Sequence, residues 1–301
     1  MNNMKYIIGV DGGGTKTEAV AYDLNGNSLS RSISGYGNIL INKEKALNNI
    51  KESIEKCIKS LNKSECVYIY AGIAGSTAGN GKEIIKKYIQ DEFKCNVIVV
   101  NDADLALSAL LKGKDGFLTI AGTGSICIGK ISGKSIRAGG WGHLLGDEGS
   151  GYYIGIQALK SIAYEKDNGQ LKSEFTDRIL NKLGCKRELD IINFIYNTDK
   201  AHVAAIVKLV IQLAKEKNST ATQILIKAGE ELGEMTLRAI KQSGLKENIK
   251  IGISGNIIRK IEIVKANFIK YLDMNLGNYS IYDEDISPTL GAYYEVINMD
   301  I

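Results

Sequence analysis

Residues 4–24, MKYIIGVDGGGTKTEAVAYDL, decide how the rest of this chain is read. An apolar run over residues 6–10 ends in Asp11. Gly12, Gly13 and Gly14 follow, then Thr15, Lys16 and Thr17, and a second apolar run covers residues 19–22. Two short runs of this kind joined by a glycine turn predict a β-hairpin. Glycines let backbone N–H groups point into a concavity with no Cβ in the way, which suits an anion. Lys16 adds a point charge, and Asp11 at the strand end is placed to hold a hydrated cation. An ordinary tight hairpin is the bland alternative, and this turn alone does not exclude it.

A second copy strengthens the anion reading. Residues 116–130, GFLTIAGTGSICIGK, again run strand, glycine turn, strand, with Gly122, Thr123, Gly124 and Ser125 at the turn. Two such hairpins, one in each half of the chain, suggest two halves facing one nucleotide phosphate chain. The device differs from a strand–loop–helix phosphate loop: neither G-x-x-x-x-G-K-[ST] nor G-x-G-x-x-G falls at these turns.

Around the first hairpin the pattern alternates. A turn at residues 25–27 leads to a short strand, 28–33, and a polar glycine loop, 34–38. Leu47, Ile50, Ile54, Ile58 and Leu61 fall on helical spacings. Strands follow at 67–73 and 97–100, with a helix from 81 to 91 between them and another from 103 to 111 after Asn101 and Asp102. This predicts an α/β domain with a mixed sheet. Residues 112–116 read as a crossover into a second domain. That domain has its own hairpin, a strand near Ile136 and a loop over 139–151 too glycine-rich for regular structure. A helix at 152–164 and only helices from 173 to 243 come next, with 202–214 apolar enough to be buried on nearly all sides. Strands at 249–253 and 279–282 close the domain. Ser287 and Pro288 read as an N-cap and first helical position, opening a final helix expected to pack back on the first domain. No repeat is visible beyond the two hairpins.

The 301 residues are enough for two domains, and 44% hydrophobic with 24% charged residues is the balance of a soluble globular protein. A net charge of +4 points to neither nucleic acid nor a membrane surface. The start of the chain has too short an apolar run for a secretory signal, and no stretch is long enough to span a membrane. Five scattered cysteines without a C-x-x-C pair indicate a reduced, cytoplasmic setting, with each thiol packing as a small apolar residue.

Taken in order, Asp11–Thr17 (DGGGTKT), Asn101-Asp102-Ala103, the segment 121–125 (AGTGS) and the segment 139–150 (GGWGHLLGDEGS) resemble the N-acetylglucosamine kinases. These stand with the BadF/BadG/BcrA/BcrD ATPases in the actin-like ATPase and sugar-kinase fold, which is ribonuclease H-like. The resemblance covers nearly the whole chain, and bacterial kinases of N-acetylmuramic acid and N-acetylglucosamine look nearest. It implies two lobes, 1–113 with the C-terminal helix 286–301 and 114–285, with ATP between them and the sugar at the cleft floor. Each lobe is a mixed sheet flanked by helices.

By motif position Thr15 and Thr123 match nucleotide-phosphate contacts. Gly12, Gly13, Gly14, Lys16, Gly122 and Gly124 line the two turns, and Asp11 stands where Mg²⁺ would be positioned. Ala204 and Gly255 match the nucleotide side. At residues 254–256 the chain has Ser-Gly-Asn where the fold usually has a Gly-Gly pair. Asp102 matches the catalytic base; its alternative is a plain helix N-cap. Asn38, Gly140, Trp141 and Asp147 match sugar-binding positions. The implied ligands are ATP, Mg²⁺ and a small amino sugar, and a homodimer is compatible with the sequence. The implied reaction is phosphorylation of the 6-hydroxyl of N-acetylglucosamine, with N-acetylmuramic acid accepted too, in salvage of cell-wall amino sugars.

Three other readings compete. Glucosamine could be the preferred sugar. An ATP-driven redox activator of the benzoyl-CoA reductase and 2-hydroxyacyl-CoA dehydratase type would need cysteine ligands for a bridging iron–sulfur cluster, and Cys127 has no second cysteine near it in sequence. A sugar-sensing regulator would need a DNA-binding segment, and the sequence shows none ahead of Met4.

Overall fold

β1 (Tyr6–Gly12) and β2 (Thr17–Asp23) pair antiparallel with Gly12 opposite Thr17, so the first glycine belongs to the strand and the turn is residues 13–16. All of β2 and all of β1 except Asp11 are buried, the state that strands covered on both faces require. The computed structural model carrying these elements describes residues 4–299; the last two positions of the expected C-terminal helix lie outside that range. Contacts divide the chain into one unit of residues 4–116 with 284–299 and a second of residues 117–283.

In the first unit β3 (Ser28–Ser34) is an edge strand in which serine alternates with Leu29, Arg31 and Ile33. A polar edge resists pairing with foreign strands. α1 (Lys43–Cys57) starts where the Asn42 side chain accepts from the Lys45 N–H, and it buries Leu47, Ile50 and Ile54. β4 (Cys66–Ile73) and β5 (Asn96–Val100) add parallel beyond β1, with α2 (Gly81–Phe93) as the crossover and α3 (Asp102–Leu110) after β5. One sheet face packs Tyr6, Ile8 and Val10 against Ile50, Ile54, Ile85 and Ile89. The other packs Ile7 and Tyr70 against Leu105 and against Ala292 and Val296 of the last helix (Leu290–Ile297).

The second unit opens with β6 (Gly116–Ala121), β7 (Ser125–Ile131) and β8 (Lys134–Gly139). Then come α4 (Gly151–Asp167), α5 (Glu174–Leu183), α6 (Asp190–Tyr196), α7 (Lys200–Ala205), α8 (Val207–Lys215) and α9 (Ser219–Ser243). β9 (Ile249–Ser254), α10 (Asn256–Lys260), α11 (Glu262–Asn275) and β10 (Tyr279–Tyr282) complete it, and the last helix is α12. β9 runs parallel to β6, and β10 parallel to β9.

The two sheets have the same plan. Their orders are β3-β2-β1-β4-β5 and β10-β9-β6-β7-β8, and each reads outward from its glycine hairpin in the same way. The sequence shows no repeat beyond the hairpins. The repeat lies in strand order and direction, and α4 to α9 fill the interval that α1 and a short 3-10 turn (Lys63–Glu65) fill in the first unit.

Two further expectations change. Residues 202–214 are not one helix buried all round: the chain breaks at Ile206, and Val207, Leu209 and Ile211 are half-exposed. α12 begins at Leu290, two residues later than Ser287 and Pro288 suggested. Ser287 hydrogen-bonds the Thr289 hydroxyl at 2.8 Å, and the N–H groups of Leu290 and Gly291 donate to the carbonyls of Ser287 and Pro288 across tight turns.

The entry to α12 fixes one glycine absolutely. A Cβ on Gly9 would lie 2.1 Å from the Thr289 carbonyl oxygen, and Thr289 is itself held by the Tyr22 hydroxyl at 2.8 Å. Backbone cannot yield as a side-chain tip can. Gly9→Ala is therefore expected to lower unfolding stability by about 3 kcal/mol, the upper end for overpacking. Urea denaturation followed by fluorescence checks it, and an unchanged midpoint would show that the segment has room to shift.

Candidate active site

In the first unit two half-buried carboxylates stand at the C-terminal ends of parallel strands, Asp11 on β1 and Asp102 just past β5. The cap of α3 is Asn101, whose side chain accepts from the Ala103 N–H at 3.1 Å. Capping therefore does not account for Asp102, which is the first helical residue. Burial pushes the Asp102 carboxyl up, against the N–H groups of Ala103 and of Asp102 itself. Asp11 is pushed up to about 6, first by burial and then by the charges of Asp102 and Glu18, with Lys16 opposing.

Oxygen donors whose ionised forms are disfavoured together suit a hard divalent cation. No group of three or more His, Cys, Asp or Glu among the described residues forms a complete cage. Mg²⁺ keeps waters and is held by one or two carboxylates together with substrate phosphates.

This arrangement gives a pH prediction. A carboxyl at about 6 when folded, against 3.8 ordinarily, binds its proton more tightly folded than unfolded. Its contribution to stability is therefore complete below about 4 and is lost as pH rises through 6. A bound divalent cation favours the ionised form and reverses that loss. Mg²⁺ should thus raise Tm more at about pH 7.5 than at about pH 5, and Asp11→Asn should remove most of the difference. Equal shifts at both pH values in the unaltered chain would separate Asp11 from the ion.

The first glycine turn is tied to the loop before α1. Gly13 donates to the Lys16 carbonyl at 2.9 Å, and the Gly13 carbonyl accepts from Gly37 at 2.9 Å and Asn38 at 3.1 Å. This brings Asn38 beside the turn, with its side-chain oxygen accepting from the Leu40 N–H. The three glycines serve different ends. A Cβ on Gly12 would meet Ile73 Cδ1 at 2.6 Å, whereas one on Gly14 would meet nothing within 4 Å. A Cβ on Gly12 would displace the tip of Ile73, while Gly14 borders open space. Thr15 and Lys16 are exposed. Lys16 Nζ lies 3.2 Å from buried Glu18, which also takes Arg31 at 2.5 Å.

In the second unit Gly122 donates to the Gly124 carbonyl at 2.9 Å. The carbonyls of Gly122 and Thr123 accept from Gly151 and Tyr152 at the start of α4, at 2.8 and 3.2 Å. Asp147, at φ +68° and only 3% exposed, accepts from the Ser125 N–H at 3.0 Å and pairs with Lys200 at 2.6 Å. A Cβ on Gly124 would lie 2.7 Å from both Asp147 Oδ1 and Lys200 Nζ. An ion pair therefore backs the second turn. Sequence reasoning missed Lys200, because a lysine after an aspartate N-cap is an ordinary surface pattern.

It also missed Arg137, which donates to the Gly139 carbonyl at 3.2 Å and to the Gly140 carbonyl, and lies 5.4 Å from the Trp141 ring. Gly139 and Gly140 are both at φ +71°, and a Cβ on Gly140 would meet Ile126 Cδ1 at 2.6 Å. The loop is so built that Trp141 stands out, 70% exposed rather than in a core.

A cleft of about 430 Å³ in this unit is lined by Gly122, Thr123, Ala204, Val207, Ile211, Asn256 and Ile257. The half-exposed apolar face of α8 is one of its walls, which explains why residues 202–214 are not buried all round. Gly255 sits at φ +92°, and a Cβ there would lie 2.3 Å from the Ala121 carbonyl oxygen. That turn admits only glycine, and Asn256 follows it into the cleft lining. The structure thus gathers Asp11, Asp102, the first glycine turn and Asn38 in one unit. It gathers the second turn, Asp147, Ala204 and Gly255 in the other.

Two mixed sheets of one plan, flanked by helices and each opening on a glycine hairpin, define the actin-like ATPase and sugar-kinase fold. A model of the BadF/BadG/BcrA/BcrD ATPase family matches residues 8–294, and the chain belongs to that family. It is 34% identical to an N-acetylmuramic acid/N-acetylglucosamine kinase of Clostridium acetobutylicum, over 96% of this chain and 97% of that one. It is 33% identical to an N-acetyl-D-glucosamine kinase of Dictyostelium discoideum, over 97% of each. A crystal structure from Chromobacterium violaceum, provisionally named an N-acetylglucosamine kinase, superposes with a TM-score of 0.74 at 21% identity, covering 97% of this chain and 99% of that one.

Proposed function

We propose that this chain is a sugar kinase that transfers the γ-phosphate of ATP to the 6-hydroxyl of N-acetylglucosamine, and that it accepts N-acetylmuramic acid as well. The observation that carries the mechanism is Asp102. It is a half-buried carboxylate at a strand end, and the N-cap of α3 is its neighbour Asn101. Phosphoryl transfer needs positioning and charge neutralisation more than covalent help from the protein. Asp102 accepts the proton of the attacking hydroxyl as general base.

With the Gly13 and Gly122 N–H groups used inside their own turns, those of Gly14, Thr15, Thr123 and Gly124 are the donors for phosphate oxygens. The apolar cleft beside Ala204 and Gly255 takes the adenosine. Asp11 would hold Mg²⁺, and the ion would supply neutralisation of phosphate charge. Asn38 in the first unit, and Gly140 and Trp141 in the second, are the candidates for binding the sugar. Asp147, already engaged by Ser125 and Lys200, shares its carboxylate with a sugar hydroxyl while holding the second turn. ATP supply and a wall-derived amino sugar place the work in the cytoplasm, in salvage of that sugar.

An acetamido group offers a carbonyl acceptor and an N–H donor. A site with buried partners for both leaves them unpaired when glucose binds, so discrimination is large. The relative of Clostridium acetobutylicum is named for both acetylated sugars. Measuring kcat/KM for N-acetylglucosamine, N-acetylmuramic acid, glucosamine and glucose, with the product assigned by NMR, tests the reading. Both acetylated sugars should lead. Glucose or glucosamine ahead of them would overturn the assignment, and failure of N-acetylmuramic acid alone would remove only that second substrate. The redox-activator alternative gains no support from Cys127, which is fully buried in β7.

A further inference from the structure

Cysteines that are remote in sequence meet at the edge of the first sheet opposite the carboxylates. Cys66 opens β4 and Cys95 immediately precedes β5, and the two strands are parallel neighbours. The sulfurs lie 3.4 Å apart, and Cys95 Sγ is 3.3 Å from the Cys66 carbonyl oxygen. Both thiols are free, and neither residue is fully buried. A disulfide needs about 2.05 Å between sulfurs, and side-chain rotation of the order of an ångström closes the gap without moving strands.

The pair is also asymmetric. The contact between the two sulfurs holds Cys95 below the ordinary thiol range, against burial, and the same contact together with burial pushes Cys66 up. That is the difference between an attacking thiolate and a resolving thiol. Cys57 is buried and directed to the Ser30 carbonyl, 3.6 Å away, and it takes no part.

We propose that Cys66 and Cys95 form a redox-active dithiol that hydroperoxides convert to an intramolecular disulfide. In the first step the Cys95 thiolate attacks a peroxide oxygen. The S–O bond forms, the O–O bond breaks, and the departing hydroxide takes a proton to leave as water, giving a sulfenic acid at Cys95. In the second the Cys66 sulfur attacks the Cys95 sulfur. The S–S bond forms, the S–O bond breaks, and hydroxide leaves as water with the Cys66 proton. Two thiols and one hydrogen peroxide become one disulfide and two waters.

The bond ties the entry of β4 to that of β5 and closes the α2 crossover into a loop. It constrains the unfolded chain of the first unit and so raises Tm. The thiols sit at the N-terminal ends of these strands, and Asp102 lies beyond the far end of β5. Turnover is therefore expected to stay unchanged.

The test treats the full chain with one equivalent of hydrogen peroxide, alkylates the remaining thiols and maps non-reduced peptides. The expected result is a peptide joining Cys66 to Cys95, a higher Tm and unaltered turnover, all reversed by dithiothreitol. In Cys66→Ser the cross-link is lost and a dimedone-reactive sulfenic acid accumulates at Cys95. In Cys95→Ser position 66 stays unlabelled by dimedone. Alkylation of both thiols while half-buried Cys185 oxidises would overturn the proposal, as would a cross-link through Cys57. Dimedone labelling confined to Cys66 in Cys95→Ser would overturn the assigned order of attack.

Discussion

Asp102→Asn is expected to lower turnover by about 10²- to 10⁴-fold, the usual worth of a positioned general base. The amide keeps the volume and much of the hydrogen bonding of the carboxylate but does not take a proton at neutral pH. The cap of α3 is kept, because the Asn101 side chain accepts from the Ala103 N–H and an amide oxygen at 102 still accepts there. Stability should hold or rise, since the substitution removes a charge that burial disfavours and that helps to push its neighbour Asp11 up. The sugar KM should move less than kcat. A steady-state assay beside a thermal melt reads both. Near-normal turnover in a folded variant would mean that Asp102 is not the base.

The second large effect is expected at Lys200. Lys200→Met keeps the aliphatic stem but leaves Asp147 buried without its countercharge, facing only the Ser125 N–H. Breaking a buried pair from one side costs about 3–5 kcal/mol, and the partial exposure of the lysine argues for about 3. The damage should also reach the nucleotide, because Asp147 and Lys200 back Gly124 at the second turn. A raised KM for ATP should accompany the lower Tm. Adding Asp147→Asn should restore much of the stability, since a neutral amide still accepts from Ser125 and needs no cation. The double-mutant cycle isolates that coupling. A Lys200→Met variant with the stability and ATP dependence of the unaltered chain would make the ion pair incidental.

How far the site could be read in advance varied residue by residue. The hairpin of residues 6–23 was plain, because alternation, a glycine turn and the strand-end Asp11 are contiguous. Asp102 was visible as a candidate, but its choice between base and cap was not. That choice turned on a 3.1 Å bond made by its neighbour Asn101. Ser287 and Pro288 looked like a helix start because their residue types are right for one. The Ser287 hydroxyl instead found the Thr289 hydroxyl, and the helix began later. Residues 202–214 looked buried because apolar side chains surround that segment. Hydrophobicity does not say whether a face meets core or a ligand cleft, and here α8 turns one face to the cleft.

Local pattern in the sequence accounts for the order and type of the elements around the two hairpins. Those signals act within a few residues along the chain, through backbone sterics and side-chain alternation. Only the tertiary structure decided that both sheets share one strand order, that Lys200 holds Asp147 behind the second turn, and that Cys66 and Cys95 lie in contact. Each of these joins groups far apart in sequence across strand neighbours or packed loops. Which residues meet is then set by sheet register and packing, which no local pattern carries.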